Sequence, residues 1–216
     1  MIEAVIFDMD GVIIDSEPFF LEAEQEVLRN HGHEVPVDFL YQFQGTTHDY
    51  MWGMMREEFD IETGTLDLVK EADEIREQLI DEKGMKTIPY VLDFIDQLYS
   101  LNIPMAIASS SPRKDIEKTI NSFNLSDKIS YYVSGDEVEH SKPAPDIFIN
   151  AAYALNMKPE NCFVFEDSSN GVKAGHTAGM NVIAYHNPEF PPGDFSAADK
   201  VINSFENLVF DEFKEI

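Results

Sequence analysis

Hydrophobic positions follow two alternating rhythms along this chain. Short, nearly continuous apolar runs at residues 2–8, 105–110 ("MAIASS"), 162–167 ("CFVFED"), 181–185 ("NVIAY") and 200–203 read as strands buried on both faces. Between them the spacing of apolar residues turns helical: "IPYVLDFIDQLYSLN" precedes the second run, "RKDIEKTINSFN" follows it, "PDIFINAAYALN" precedes "CFVF" and "SNGVKAGHTAG" lies behind it. Strand alternating with helix predicts an α/β domain built on a doubly wound parallel sheet.

Residues 16–84 break that rhythm, with helical patterns and no convincing strand. The expectation is an all-helical cap domain of residues 16–84 inserted into a core of residues 1–15 and 85–216, joined by short hinges near residues 15–17 and 84–87. Ser16 or Asp15 is placed to cap the first helix, Pro18 suits its first turn, Glu22 and Glu24 favour its positive end, and Gly32 stops it. Phe19, Phe20, Phe39, Met51, Met54 and Met55 read as helix-packing residues.

Composition narrows the function. Of 216 residues, 41 are acidic and 15 are Lys or Arg, for a formal net charge of −26, a field that repels nucleic acid and anionic membrane alike. Residues 16–84 carry 18 of the acids and 5 of the bases, so half of the excess belongs to the inserted segment. No apolar stretch approaches the roughly 20 residues that span a bilayer, and the start of the chain is too acidic for a secretory signal. A cytoplasmic protein without nucleic-acid or membrane partners is expected, and a monomer. The single Cys162 lies in an apolar run and reads as a buried structural thiol.

The chemistry begins in "VIFDMDGVIID", where Asp8 and Asp10 stand one residue apart. Alternation along a strand would turn both carboxylates to the same side, where they repel. A divalent cation or a shared proton could offset that repulsion. In an open parallel sheet, ligands bind beyond the carboxyl ends of the strands. Those ends carry Asp8 and Asp10, then Ser109, Ser110 and Ser111, then Glu166 and Asp167, with Lys142 in the turn "HSKPAPD". Carboxylate oxygens suit Mg2+, while hydroxyls, amides and a lysine suit phosphoryl oxygens. Taken singly, each has a plainer reading: a helix cap for the acids, a turn for the serines, a surface lysine for Lys142. Their joint occurrence in this order favours the site.

"DMDGVIIDSE", "ASSSP", "SKPAPDIF" and "FEDSSNGVKAG" resemble the four motifs of the haloacid dehalogenase superfamily, in the branch of beta-phosphoglucomutase and the small sugar-phosphate phosphatases. The resemblance covers essentially the whole chain and implies a Rossmann-like core with a helical cap inserted after the first motif. It implies that Asp8 is the nucleophile, forming an aspartyl phosphate, and that Asp10 is the general acid and base. It also implies that Asp8, the Asp10 carbonyl, Glu166 and Asp167 hold Mg2+, and that Ser109, Ser110 and Lys142 bind the phosphoryl group of a small phosphomonoester.

Family mutases usually carry a histidine five residues after the aspartate that closes the first motif, and a lysine and an arginine around the cap's glycine turn. This chain has Phe20 at the first position, Gln44 before Gly45, and His48 where the arginine would stand. Without those cations a second phosphate is poorly held, so a sugar- or polyol-phosphate phosphatase is expected over a beta-phosphoglucomutase. Gln44, Gly45, Thr46, Thr47, His48 and Trp52 are the candidates for contacting the organic part of the substrate. A receiver-like signalling module would place its aspartate on an internal strand and has no room for the inserted segment. A silent phosphate-binding member would lack the nucleophile or acid, and Asp8, Asp10, Lys142 and Asp167 are all present.

Overall fold

The computed structural model describes residues 3–43 and 46–213. Gln44 and Gly45 lie outside the described residues. The chain divides into two compact units, Met1–Asp15 with Thr87–Ile216, and Ser16–Lys86.

The first unit is built on six strands: β1 (Ala4–Phe7), β2 (Met105–Ser109), β3 (Tyr131–Ser134), β4 (Cys162–Glu166), β5 (Asn181–Tyr185) and β6 (Lys200–Ile202). They pair throughout in parallel, in the order β3-β2-β1-β4-β5-β6, which is the expected doubly wound sheet. The chain winds outward from β1 to β3 and then returns to place β4 on the other side of β1. That reversal makes a topological switch point at the carboxyl ends of β1 and β4, where such sheets open a crevice.

Side-chain alternation splits the core. Phe7 stacks on Phe165 at 5.3 Å between ring centroids, and both meet Phe94 edge-on. Phe94 belongs to the helix Val91–Ser100. Ala4 and Ile6 face the other way, into a cluster with Ile147, Phe148, Ala151 and Ala152 from the helix Asp146–Ala154. The helices Arg113–Ser122 and Ser169–Thr177 complete the α/β alternation.

β3 was not among the expected strands. Its segment "YYVS" is flanked by polar residues and pairs only with β2. As an edge strand it keeps Tyr131 and Tyr132 half-buried, so it lacks the continuous apolar signal of its neighbours.

The second unit contains α1 (Glu17–Asn30), α2 (Val37–Leu40), α3 (His48–Glu58) and α4 (Thr65–Lys83). In chain order the four core helices are then α5 (Val91–Ser100), α6 (Arg113–Ser122), α7 (Asp146–Ala154) and α8 (Ser169–Thr177). α1 and α3 both pack on α4, burying Phe19, Ala23, Val27, Met51, Trp52, Met55 and Leu68 at helical spacing. Phe19, Met51 and Met55 thus pack as expected, whereas Met54 is exposed. Trp52 is 1% exposed, which makes it a packing residue of this unit and corrects its reading as a substrate contact. Pro18 lies in the first turn of α1 and Gly32, at φ +86°, follows its end, but the Ser16 side chain makes no capping hydrogen bond. Thr47 caps α3 by accepting from the Tyr50 amide. No helix among the described residues is long and apolar enough to cross a membrane.

Candidate active site

Register determines which residues meet at the switch point. Phe7 pairs with Phe165 and with Ile107, so Asp8 emerges level with Glu166 on one side and Ala108 on the other. The Asp8 amide still donates to the Phe165 carbonyl at 2.9 Å, which anchors the residue at the end of the strand.

Lys142 reaches into this gap from the loop before α7. Its Nζ donates to Asp8 Oδ1 at 2.6 Å, to Glu166 Oε1 at 2.8 Å and to the Ala108 carbonyl at 3.1 Å, so all three ammonium donors are used. Nζ also lies 4.8 Å from the centroid of the Phe148 ring, a cation–π contact. The side chain is 6% exposed. The reading of Lys142 as a solvated surface residue is therefore excluded. Burial works against its charge, but Asp8 and Glu166 outweigh it and hold its pKa above the ordinary lysine value. Burial raises the Asp8 carboxyl above the usual aspartate range; Lys142 opposes that rise, while Glu166 and Asp10 add to it.

Glu166 is fixed on its other oxygen as well. Oε2 accepts from the Ser168 amide at 2.8 Å and from its hydroxyl at 3.0 Å. Ser168 in turn caps α8 by accepting from the Gly171 amide at 3.0 Å, so the carboxylate lies at the positive end of that helix. A Cβ on Gly171 would fall 1.6 Å from Glu166 Oε1, and one on Gly11 would fall 1.9 Å from Asp167 Oδ2. Both glycines are places where a carboxylate lies directly on the backbone. Gly11 also has φ +75°, in the turn where the Ile13 and Ile14 amides both donate to the Met9 carbonyl.

The two aspartates do not share one donor. Strand β1 ends at Phe7, and Asp10 lies in the turn beyond it, where its Oδ2 accepts from the Ser111 hydroxyl at 2.6 Å. Asp8 belongs to Lys142 and Asp10 to Ser111. Ser109, 1% exposed, ends β2 and accepts from the Ser111 amide at 3.0 Å, whereas Ser110 is exposed. Ser134 Oγ donates to the Ser111 carbonyl at 2.7 Å, and its own amide donates to Glu137 Oε2 at 2.9 Å. Ser134 was not singled out in the sequence because β3 was not, and Ser111 was read there with Ser109 and Ser110 as a donor to phosphoryl oxygens, not as the partner of Asp10. A serine aligned with Ser109 on the neighbouring strand was the signal available.

Asp8, Glu166 and Asp167 each offer a carboxylate oxygen within 4.8 Å of the other two. Three hard anionic oxygens against one lysine leave an uncompensated negative charge, and that donor set fits Mg2+. Asp10 lies outside this side-chain cluster. In the helical unit, Thr46 and His48 line a cavity with Phe20 and Met51, and the Phe20 and His48 rings lie 5.4 Å apart. The candidate contacts Gln44 and Gly45 fall outside the described residues.

Residues 5–185 match the family model for haloacid dehalogenase-like hydrolases. The chain belongs to that family. Its relatives include a phosphorylated-carbohydrate phosphatase of Thermotoga maritima, 32% identical over 84% of this chain and 83% of that one. Another is the fructose-1-phosphate phosphatase YqaB of Escherichia coli, 31% identical over 83% of this chain and 94% of that one. Among solved structures of the family, the beta-phosphoglucomutase of Clostridium difficile superposes with a TM-score of 0.79 at 27% identity, covering 100% of this chain and 96% of that one.

Proposed function

We propose that this haloacid dehalogenase-like hydrolase is a Mg2+-dependent phosphatase of a small phosphomonoester, of the sugar- or polyol-phosphate class, working through an aspartyl phosphate on Asp8. The observation that carries the reading is the division of labour between the aspartates. Asp8 is held by Lys142 among buried acids, and Asp10 is held separately by Ser111.

A nucleophile and a general acid need opposite protonation states, and separate partners allow that. In the proposed reaction an Asp8 oxygen attacks phosphorus and the bond from phosphorus to the leaving oxygen breaks. Asp10, in its protonated form, delivers the proton to that oxygen. Asp10, now a carboxylate, takes a proton from water as the water attacks the phosphoryl group, which releases phosphate and restores Asp8. Ser109 and the Ser110 amide would hold phosphoryl oxygens, while Lys142 orients Asp8 and places its positive charge beside the phosphoryl group, trading one of its present bonds for a phosphoryl oxygen when the substrate binds. Asp8, Glu166 and Asp167, with the Asp10 carbonyl, would hold Mg2+, which when bound neutralises charge on the phosphoryl group.

Relatives named for phosphorylated carbohydrates and fructose 1-phosphate support the substrate class. The solved beta-phosphoglucomutase keeps a second reading in view, against which stand Phe20 and His48 where mutases carry cationic side chains. The test is phosphate release from a panel of sugar, polyol and nucleotide monophosphates, with Mg2+ and with excess chelator. Beta-glucose 1-phosphate is included with and without glucose 1,6-bisphosphate. The reading expects metal-dependent phosphate release and no bisphosphate-dependent glucose 6-phosphate. Undiminished turnover in chelator, or isomerisation outpacing hydrolysis, would overturn it.

A further inference from the structure

Ser111, the residue that meets Asp10, has each of its polar groups held. Its amide donates to Ser109 Oγ at 3.0 Å, its hydroxyl donates to Asp10 Oδ2 at 2.6 Å, and its carbonyl accepts from Ser134 Oγ at 2.7 Å. Ser109 and Asp10 have roles in the proposed reaction; Ser134 has none. It ends the edge strand β3, is fully buried, and opens the turn Gly135–Glu137. Ser134 Oγ also accepts from the Asp136 amide at 3.2 Å, and the Ser134 amide donates to Glu137 Oε2 at 2.9 Å, which together make a capping box. Glu137 Oε1 accepts from Arg113 at 2.7 Å, at the start of α6. A Cβ on Gly135 would fall 3.1 Å from Ser110 Cα, so the turn lies directly against the serine loop.

These bonds act on two parts of the loop differently. Ser109 belongs to β2, and its pairing with Ser134 across the sheet fixes the backbone from which Ser109 and the Ser110 amide present their donors. The direction of the Ser111 hydroxyl depends on the peptide that follows it, whose carbonyl Ser134 Oγ holds. That direction matters for Asp10. An oxygen that accepts the Ser111 hydroxyl is the poorer place for a proton, so the transferable proton belongs on Oδ1. A general acid works when that proton lies within hydrogen-bond reach of the leaving oxygen, and a carboxyl free to rotate loses this alignment.

We propose that Ser134 is a positioning residue for the general acid: through the Ser111 carbonyl it directs the Ser111 hydroxyl, which holds the Asp10 carboxyl with Oδ1 as its proton-bearing oxygen. This role rests on the phosphatase reading. In the step it serves, the bond from Asp8 to phosphorus forms, the bond from phosphorus to the leaving oxygen breaks, and the Oδ1 proton passes to that oxygen. An alkoxide needs the proton in order to leave, whereas nitrophenolate departs without it. The ratio kcat/KM reports the free energy from free enzyme and substrate to the transition state, so comparing the two kinds of ester isolates proton delivery. A merely structural role would move both alike.

The full-length protein would be assayed in Mg2+ with benzyl phosphate, fructose 1-phosphate and the other sugar and polyol phosphates of the panel as alkyl esters, and with p-nitrophenyl phosphate as the aryl ester. In Ser134→Ala, with circular dichroism unchanged, kcat/KM should fall about tenfold for alkyl esters, part of the value of a general acid, and less than about twofold for p-nitrophenyl phosphate. Should Ser134→Ala misfold, Ser134→Cys keeps the volume with a weaker donor and carries the same comparison. Ser111→Ala should show the same selectivity, and adding Ser134→Ala to it should cost nothing further, because the two act in series. Equal losses on both kinds of ester, no loss on alkyl esters, or losses that multiply in the double variant would overturn the role of Ser134 and leave the phosphatase reading standing. Native protein that releases phosphate from no alkyl ester would overturn that reading and this role with it.

Discussion

Replacing Lys142 with methionine removes the one cation among the buried acids of the site while keeping most of its apolar volume. In the native protein its ammonium bridges Asp8 and Glu166 at 2.6 and 2.8 Å, and the three side chains are 6%, 9% and 1% exposed. The variant leaves two carboxylates facing each other without water or a counter-charge. Breaking a buried pair in this way costs about 3–5 kcal/mol. With a urea dependence of about 3 kcal/mol per molar, the upper end for small proteins, the midpoint should fall by about 1–1.7 M. Urea unfolding in chelator, followed by circular dichroism, measures this without reference to catalysis. The double variant Lys142→Met with Asp8→Asn should recover part of the loss, because it removes one of the stranded charges. A loss below about 1 kcal/mol, the range of exposed ion pairs, would refute the reasoning, as would a double variant less stable than the single one.

Two further perturbations test neighbouring parts of the account. Gly171→Ala would drive a methyl group to within 1.6 Å of Glu166 Oε1, so phosphate release should fall by at least about tenfold, with a stability loss of about 1–3 kcal/mol from overpacking; native kinetics would show that Glu166 need not lie there. Burial raises the Glu24 carboxyl from 4.5 to about 8, so between those values the folded protein holds a proton that the unfolded chain has lost. Stability should therefore fall as pH rises through that window. Glu24→Gln should abolish that part of the slope, so its melting temperature should exceed that of the native protein at pH 8.5 and match it near pH 4.5; the reverse order would contradict the burial argument.

The legibility of this fold in its sequence followed burial. β1, β2, β4 and β5 are buried almost throughout, so their apolar runs are continuous, and Asp8, Ser109, Glu166 and Asp167 stand out because they end those runs. β3 is an edge strand and left no such trace, which hid Ser134 and its hold on the Ser109–Ser111 loop. Lys142 stood out by its motif, but its three bonds depend on strand register, which no local pattern contains. Glu24 read as an acid favouring a helix end, yet the helix begins at Glu17. That start places Glu24 on the apolar face, two turns in. Trp52 was misread for a related reason, since its chemistry suits a sugar while its position on α3 turns it into the packing between helices.

The claim on which the functional reading rests is that Asp8 carries the phosphoryl group. The direct measurement is to quench the protein with acid during turnover of a substrate found in the phosphate-release panel, reduce acyl phosphates with borohydride, and locate the reduced residue by peptide mass spectrometry. The account expects substrate-dependent reduction at Asp8, more of it in Asp10→Asn if release of phosphate is slowed most, and none in Asp8→Asn. Reduction at Asp10 or any other carboxylate, or turnover by Asp8→Asn at the native rate, would contradict it.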